Sequence, residues 1–239
     1  MNRASVPELS VKLFADGANL DQILELNENQ MIKGFTTNPT LMRAAGVNDF
    51  ESFSKEVLSH VNKPISFEIF SDELEEMKSQ GVKIASWGPN VYVKVPVMNT
   101  LGQSTRPVIE HLVARGIKVN VTALMDSTQV AEIISVLNPD IPSYISVFAG
   151  RIADTGRDPL PILEDSLEIM RVNQSAELIW ASPRELLNIF QADQIGCHVI
   201  TATNEILKKI SLIGKDLLQY SRETVEMFRK DAIASNYKI

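Results

Sequence analysis

Lys94 sits inside Val-Tyr-Val-Lys-Val-Pro (91–96), a run whose β-branched and aromatic residues otherwise read as a buried strand. An ammonium group in such a place costs free energy unless it is paired or neutral, so the lysine either marks an edge strand or is placed for chemistry. An amine relieved of its charge by burial can attack a carbonyl and form an imine, and the protonated imine is an electron sink for a neighbouring carbon–carbon bond. That reaction needs a carboxylate to move protons while the imine forms, and a base for the hydroxyl whose carbon departs. Glu68, in Ile-Ser-Phe-Glu-Ile (65–69), and Asp16, directly after Val-Lys-Leu-Phe-Ala (11–15), are available for these two roles.

Residues so far apart in sequence need a scaffold that gathers strand ends. The apolar runs at 11–15, 32–36, 65–69, 91–95, 118–122, 144–148, 177–181 and 198–201 read as strands, each followed by an amphipathic stretch. Eight strand–helix units in about 200 residues fit a (β/α)₈ TIM barrel, whereas an open doubly wound sheet more often stops sooner. In a barrel the active site lies at the C-terminal ends of the strands. Those ends carry Asp16, then Thr37 and Asn38, Glu68, Lys94, Asn120 with Thr122, Ser146 with Arg151 just beyond, and Ser182 with Arg184. Asn120 and Thr122 share a parity and therefore a face of their strand. Single residues have local alternatives: Asp16 or Ser182 as a helix cap, Asn38 as a turn former, the arginines as surface ion pairs, Phe148 as packing. For Lys94 the edge-strand alternative weakens, because a closed barrel has no edges.

The chain has 239 residues, 44% of them hydrophobic, and no linker or low-complexity run divides it, so one domain spanning 1–239 is expected. Residues 203–214 and 216–234 are helical, and the second segment is surplus to the barrel. Residues 215–239 thus form an extra C-terminal helix, packed on its own barrel or reaching a neighbouring subunit in a homo-oligomer. A net charge of −7 argues against nucleic acid or an anionic membrane as partner, while leaving room for a small anionic substrate. No secretory h-region and no run of about 18 apolar residues stands in the sequence, which points to the cytoplasm. Cys197 is alone and the three histidines have no metal-ligand spacing, so no zinc-type site is expected, while a carboxylate metal site stays open at this point.

The segments FADGAN (14–19), GFTTNPTLM (34–42), VKVP (93–96), VNVTAL (119–124) and ISVFAGRIAD (145–154), in this order, resemble the transaldolase family. The closer likeness is to its short branch, which also contains the fructose-6-phosphate aldolases, and it runs from about Val11 to Ile213. It implies a class I, Schiff-base barrel enzyme of carbohydrate metabolism and the pentose phosphate pathway, working without metal or organic cofactor. Such an enzyme moves a dihydroxyacetone unit from a ketose phosphate to an aldose phosphate. By this resemblance Lys94 forms the imine, Asp16 is the acid/base at the cleaved bond, and Glu68 with Thr122 holds the water of imine chemistry. Thr37, Asn38, Asn120, Ser146 and Phe148 would line the sugar site, and Arg151, Ser182 and Arg184 would clamp the phosphate. Two functional alternatives stand beside this one: a lyase releasing free dihydroxyacetone, and a non-catalytic phosphosugar-binding barrel. The lyase members of the short branch have glutamine and tyrosine at the positions matching Glu68 and Phe148. The chain also departs from the family at Pro183, where an aromatic is more common, leaving open a sulfonate or a longer-chain sugar phosphate as the terminal anion.

Overall fold

The computed structural model describes residues 8–235. Its strands are β1 (Lys12–Asp16), β2 (Ile32–Thr36), β3 (Ile65–Glu68), β4 (Val91–Pro96), β5 (Val119–Leu124), β6 (Ser143–Val147), β7 (Ala176–Trp180) and β8 (Val199–Thr203). They form a closed barrel in sequence order, every pair parallel, with β8 returning to β1. This is the (β/α)₈ barrel expected from the sequence, with strand ends displaced by a residue or two.

The connections carry α1 (Leu20–Asn27), α2 (Pro39–Ala44), α3 (Phe50–His60), α4 (Leu74–Ala85), α5 (Arg106–Val113) and α6 (Ser127–Ile134). After β6 come α7 (Ala149–Ala153) and α8 (Leu160–Met170), then α9 (Leu187–Gln194) and, after β8, α10 (Asn204–Lys208). The turns after β2 and β6 each hold two helices where the sequence pattern suggests one amphipathic stretch. Local chemistry explains the starts: Asn19, Asn38 and Asp49 accept from the backbone N–H groups of Gln22, Leu41 and Ser52, and Pro39 stands at the first helical position of α2. Asp16 caps no helix, since Asn19 does that for α1.

Inside the barrel, residues of one parity share a layer. Glu68 on β3 stands beside Lys94 on β4, Lys94 beside Asn120 on β5, and Asp16 on β1 beside Thr36 on β2. Beneath them a buried plug of Phe14, Tyr92, Tyr144, Ile179 and Val199 fills the interior, with Phe14 edge-on to Tyr144 at 5.5 Å. The Phe14 ring fits because the facing residue is Gly34: a Cβ there would stand 2.5 Å from it. Gly34→Ala is therefore expected to destabilise the fold by about 1–3 kcal/mol, the ordinary range for overpacking a filled core. Urea unfolding followed by circular dichroism measures this; an unchanged midpoint would show that Phe14 can yield.

Residues Leu9–Leu207 form one compact unit. A second begins at Lys208 and holds, among described residues, a 3₁₀ turn (Lys209–Leu212) and α11 (Leu217–Ala234), capped by Asp216 and carrying an Arg222–Glu226 pair. Leu217, Leu218, Val225, Phe228 and Ile233 of α11 are exposed. No helix of the described residues is long and apolar enough to cross a membrane.

Candidate active site

The strand β4 is apolar on its outward face and turns Lys94 inward, leaving the residue only 6% exposed. The amine donates a 2.8 Å hydrogen bond to the backbone carbonyl of Thr37, at the end of β2, and lies 3.4 Å from Glu68 Oε2. Thr37 is itself fixed, since its hydroxyl and its N–H both donate to the carbonyl of Ser66. Glu68 is held above the usual carboxylate range mainly because burial strips its water; the Lys94 charge works against this, and the nearby Asp16 carboxylate adds to it.

Asp16 ends β1 and is likewise raised by burial, with the Lys94 charge and hydrogen bonds from Thr36 and Asn38 opposing the shift. Its Oδ1 accepts a 2.8 Å bond from the Thr36 hydroxyl, and Oδ2 faces Asn38 Nδ2 at 3.4 Å. Asn38 serves two ends, because its Oδ1 also accepts from Leu41 N–H at the start of α2. Asn38 is thus a helix cap rather than a turn former, and it also reaches the Asp16 carboxylate. One amine and two carboxylates share a buried space in which neither carboxylate has full access to water.

Asn120 is fully buried, and its amide is fixed at both ends: Nδ2 donates to Ser66 Oγ at 2.9 Å and Oδ1 accepts from Ser146 Oγ at 2.7 Å. Thr122, two residues on, has a buried hydroxyl with no hydrogen-bond partner among the described residues. Directly after it Ala123 takes φ = 65°, and the register between β5 and β6 shifts there. A positive φ at an alanine is strained, and bulges of this kind commonly re-aim a side chain beside a site. Phe148, at the top of β6, packs against the aromatic plug.

The two arginines lie at one corner, beyond β6 and β7. Arg184 is about half exposed and grips Asp154 with both arms of its fork, Nε to Oδ1 at 3.1 Å and Nη2 to Oδ2. Its backbone N–H donates to Asn188 Oδ1. Arg151 is exposed, and among described residues no carboxylate stands within ion-pair distance of it. Ser182 is no helix cap: it adopts φ = 60°, and its carbonyl presses on Gly150, where a Cβ would lie 1.6 Å from that oxygen and 3.1 Å from Arg184 Nε. Gly150 is what lets the β7 loop close on α7 and bring Arg184 against it.

The residues marked in the sequence thus fall into three groups: Asp16, Asn38, Thr37, Glu68 and Lys94 in contact; Asn120 with Ser146, and Thr122 nearby; Arg151, Ser182 and Arg184 at the corner. Sequence reasoning did not mark Thr36, Ser66, Asp154 or Thr201. Ser66 and Thr36 were within reach, since each has the parity of a marked neighbour on its strand or ladder. Among described residues no three His, Cys, Asp or Glu side chains are grouped so as to hold a metal. Two open hollows of about 420 and 470 Å³ flank α3 and contain none of the site residues.

Comparison with known proteins bears on the family and the fold. The chain is 32% identical over 200 residues to a probable transaldolase of Desulforamulus reducens, covering 83% of this chain and 88% of that one. It is 34% identical over 202 residues to a probable transaldolase of Streptococcus equi subsp. zooepidemicus, covering 84% and 90%. Among solved structures it superposes on the tryptophan synthase A-subunit of Pyrococcus furiosus with a TM-score of 0.57 at 15% identity, covering 91% of this chain and 96% of that one, a likeness of fold alone. The family model described as Transaldolase/Fructose-6-phosphate aldolase matches residues 13–238, so the chain belongs to that family.

Proposed function

We propose that this protein is a transaldolase that moves a dihydroxyacetone unit from a ketose phosphate to an aldose phosphate through an imine on Lys94. The observation that carries this reading is the buried Lys94 amine, held between the Thr37 carbonyl and Glu68, with the Asp16 carboxylate close enough for its charge to be felt. A barrel that merely bound a sugar phosphate would have no use for that arrangement, which costs desolvation of an amine and two carboxylates.

The chemistry follows from the placement. With its ammonium proton passed to Glu68, the amine attacks the ketose carbonyl carbon, and the oxygen leaves as water when Glu68 returns that proton, which leaves the protonated iminium. The orphan hydroxyl of Thr122 supplies the hydrogen-bonding capacity that such a water needs. Asp16 takes the proton of the hydroxyl on the departing carbon, the carbon–carbon bond breaks, and its electrons pass into the iminium to give an enamine on Lys94. The aldehyde leaves, an acceptor aldehyde enters, and the steps reverse with Asp16 returning the proton. Asn38 and the Asn120–Ser146 pair would bind sugar hydroxyls, and Arg151 with Arg184 the terminal anion. The reaction as written uses no metal or organic cofactor. We place the enzyme in the cytoplasm, in the pentose phosphate pathway, with sugar phosphates as its partners, and the exposed apolar side chains of α11 support assembly into a homo-oligomer.

The transferase reading is favoured over a lyase by Phe148, which packs on the aromatic plug and brings no hydroxyl to polarise the water that would hydrolyse the imine once the enamine carbon is protonated. Fructose 6-phosphate alone should therefore release little dihydroxyacetone, while adding erythrose 4-phosphate should yield sedoheptulose 7-phosphate at least about tenfold faster, the gap that 1.4 kcal/mol of barrier produces. Coupled assays for both products settle it. Equal steady release of dihydroxyacetone without acceptor would make the enzyme a lyase.

A further inference from the structure

Asp16 has a second layer of support that reaches across the closing seam of the barrel. Thr201 lies on β8, buried and inward-facing, and its Oγ1 stands 2.6 Å from Thr36 Oγ1, which in turn donates to Asp16 Oδ1 at 2.8 Å. The seam brings them together: Phe14 of β1 is the register partner of Thr201, and Asp16 that of Thr36. A threonine hydroxyl has one proton. When Asp16 is a carboxylate, the Thr36 proton points to Oδ1, so the bond between the two threonines must be donated by Thr201. The chain then runs Thr201 to Thr36 to Asp16, each bond polarising the next.

We propose that Thr201 is a positioning residue for Asp16, acting through Thr36 to fix Oδ1 and leave Oδ2 for proton transfer. The inference rests on the reading of Asp16 as the acid/base given above. Two buried hydroxyls in series hold the carboxylate plane against rotation, and they favour its ionised form because both bonds strengthen with its charge. Oδ2, by contrast, meets among the described residues only the long contact from Asn38, which leaves it lone pairs for a proton. The charged groups facing Asp16 are Lys94 on β4 and Glu68 on β3; Thr201 forms no hydrogen bond with either, so changing it leaves their direct contacts in place.

The test compares Thr201→Val and Thr201→Ser with wild type. In Thr201→Val, kcat should fall about fivefold with KM within about twofold, and the acid limb of the kcat/KM profile should move up by about half a pH unit. The sign follows from the role: Asp16 must be ionised to accept the proton, and losing a donor chain raises the pH at which it ionises. Thr201→Ser keeps the hydroxyl and should restore the limb. If Thr201→Val does not fold, Thr201→Cys, a weak donor of similar size, should shift the limb in the same direction by less. Borohydride trapping on fructose 6-phosphate separates the role of Thr201 from the imine on which it rests. A wild-type enzyme with no Lys94 adduct overturns the imine reading beneath. Trapping retained with superimposable pH profiles, or a loss of kcat equal in the Val and Ser variants with an unmoved limb, overturns the role of Thr201.

Discussion

Replacing Lys94 with methionine is expected to lower kcat by about 10,000-fold or more, with no adduct formed on borohydride reduction in the presence of fructose 6-phosphate. The size follows from losing a covalent step outright: Met fills much the same volume, yet offers no nucleophile, and nothing else on the inward face of β4 can attack a carbonyl. The substitution also removes the donor to the Thr37 carbonyl and the positive charge that opposes burial at both Asp16 and Glu68. In the variant those carboxylates should take up protons at still higher pH, which relieves most of the uncompensated charge and should let the barrel fold. Far-ultraviolet circular dichroism should therefore match wild type. Intact-mass measurement after reduction reads the adduct directly, and one dihydroxyacetone-derived unit surviving in Lys94→Met would move the imine to another lysine.

The same lysine shows why so much of this site was legible in sequence. A charge in an apolar run is costly enough to demand a reason, and the carboxylate that an imine needs, with the polar groups at barrel strand ends, pointed to Glu68 and Asn120. The register sets Glu68, Lys94 and Asn120 side by side on neighbouring strands. The strands were legible because parallel barrel strands are buried on both faces and read as apolar runs. What could not be read depends on closure or on backbone conformation. Thr201 meets Thr36 only because β8 pairs with β1, a contact between residues 165 apart. The strained turns at Ala123 and Ser182 involve residues that carry no signal of a positive φ, unlike glycine. Asp154 gave no sign in sequence that it, among several nearby acids, would take the Arg184 fork. The paired helices after β2 and β6 escaped notice because α2 and α7 are too short to show a helical period.

Removing either arginine of the corner should weaken transition-state binding for phosphorylated substrates by about 2–5 kcal/mol, the range for truncating one partner of a desolvated charge pair. Substrates lacking the terminal anion should lose little. The two residues are not equivalent. Arg184 already has its fork engaged by Asp154, which orders the side chain but must share it with, or yield it to, an arriving anion. Arg151 has no such carboxylate within ion-pair distance among described residues, so more of its charge is available to substrate. Arg151→Ala should therefore show the greater loss, and Asp154→Asn should loosen Arg184 without abolishing anion binding. Kinetics with fructose 6-phosphate and with unphosphorylated fructose, each against the three variants, separate recognition from support. Equal losses on both substrates would mean that the arginines hold the α7 and β7 loops together. That outcome would shift attention to the Ser182–Gly150 contact, where Pro183 follows a strained residue, as the feature that sets which anion the corner accepts.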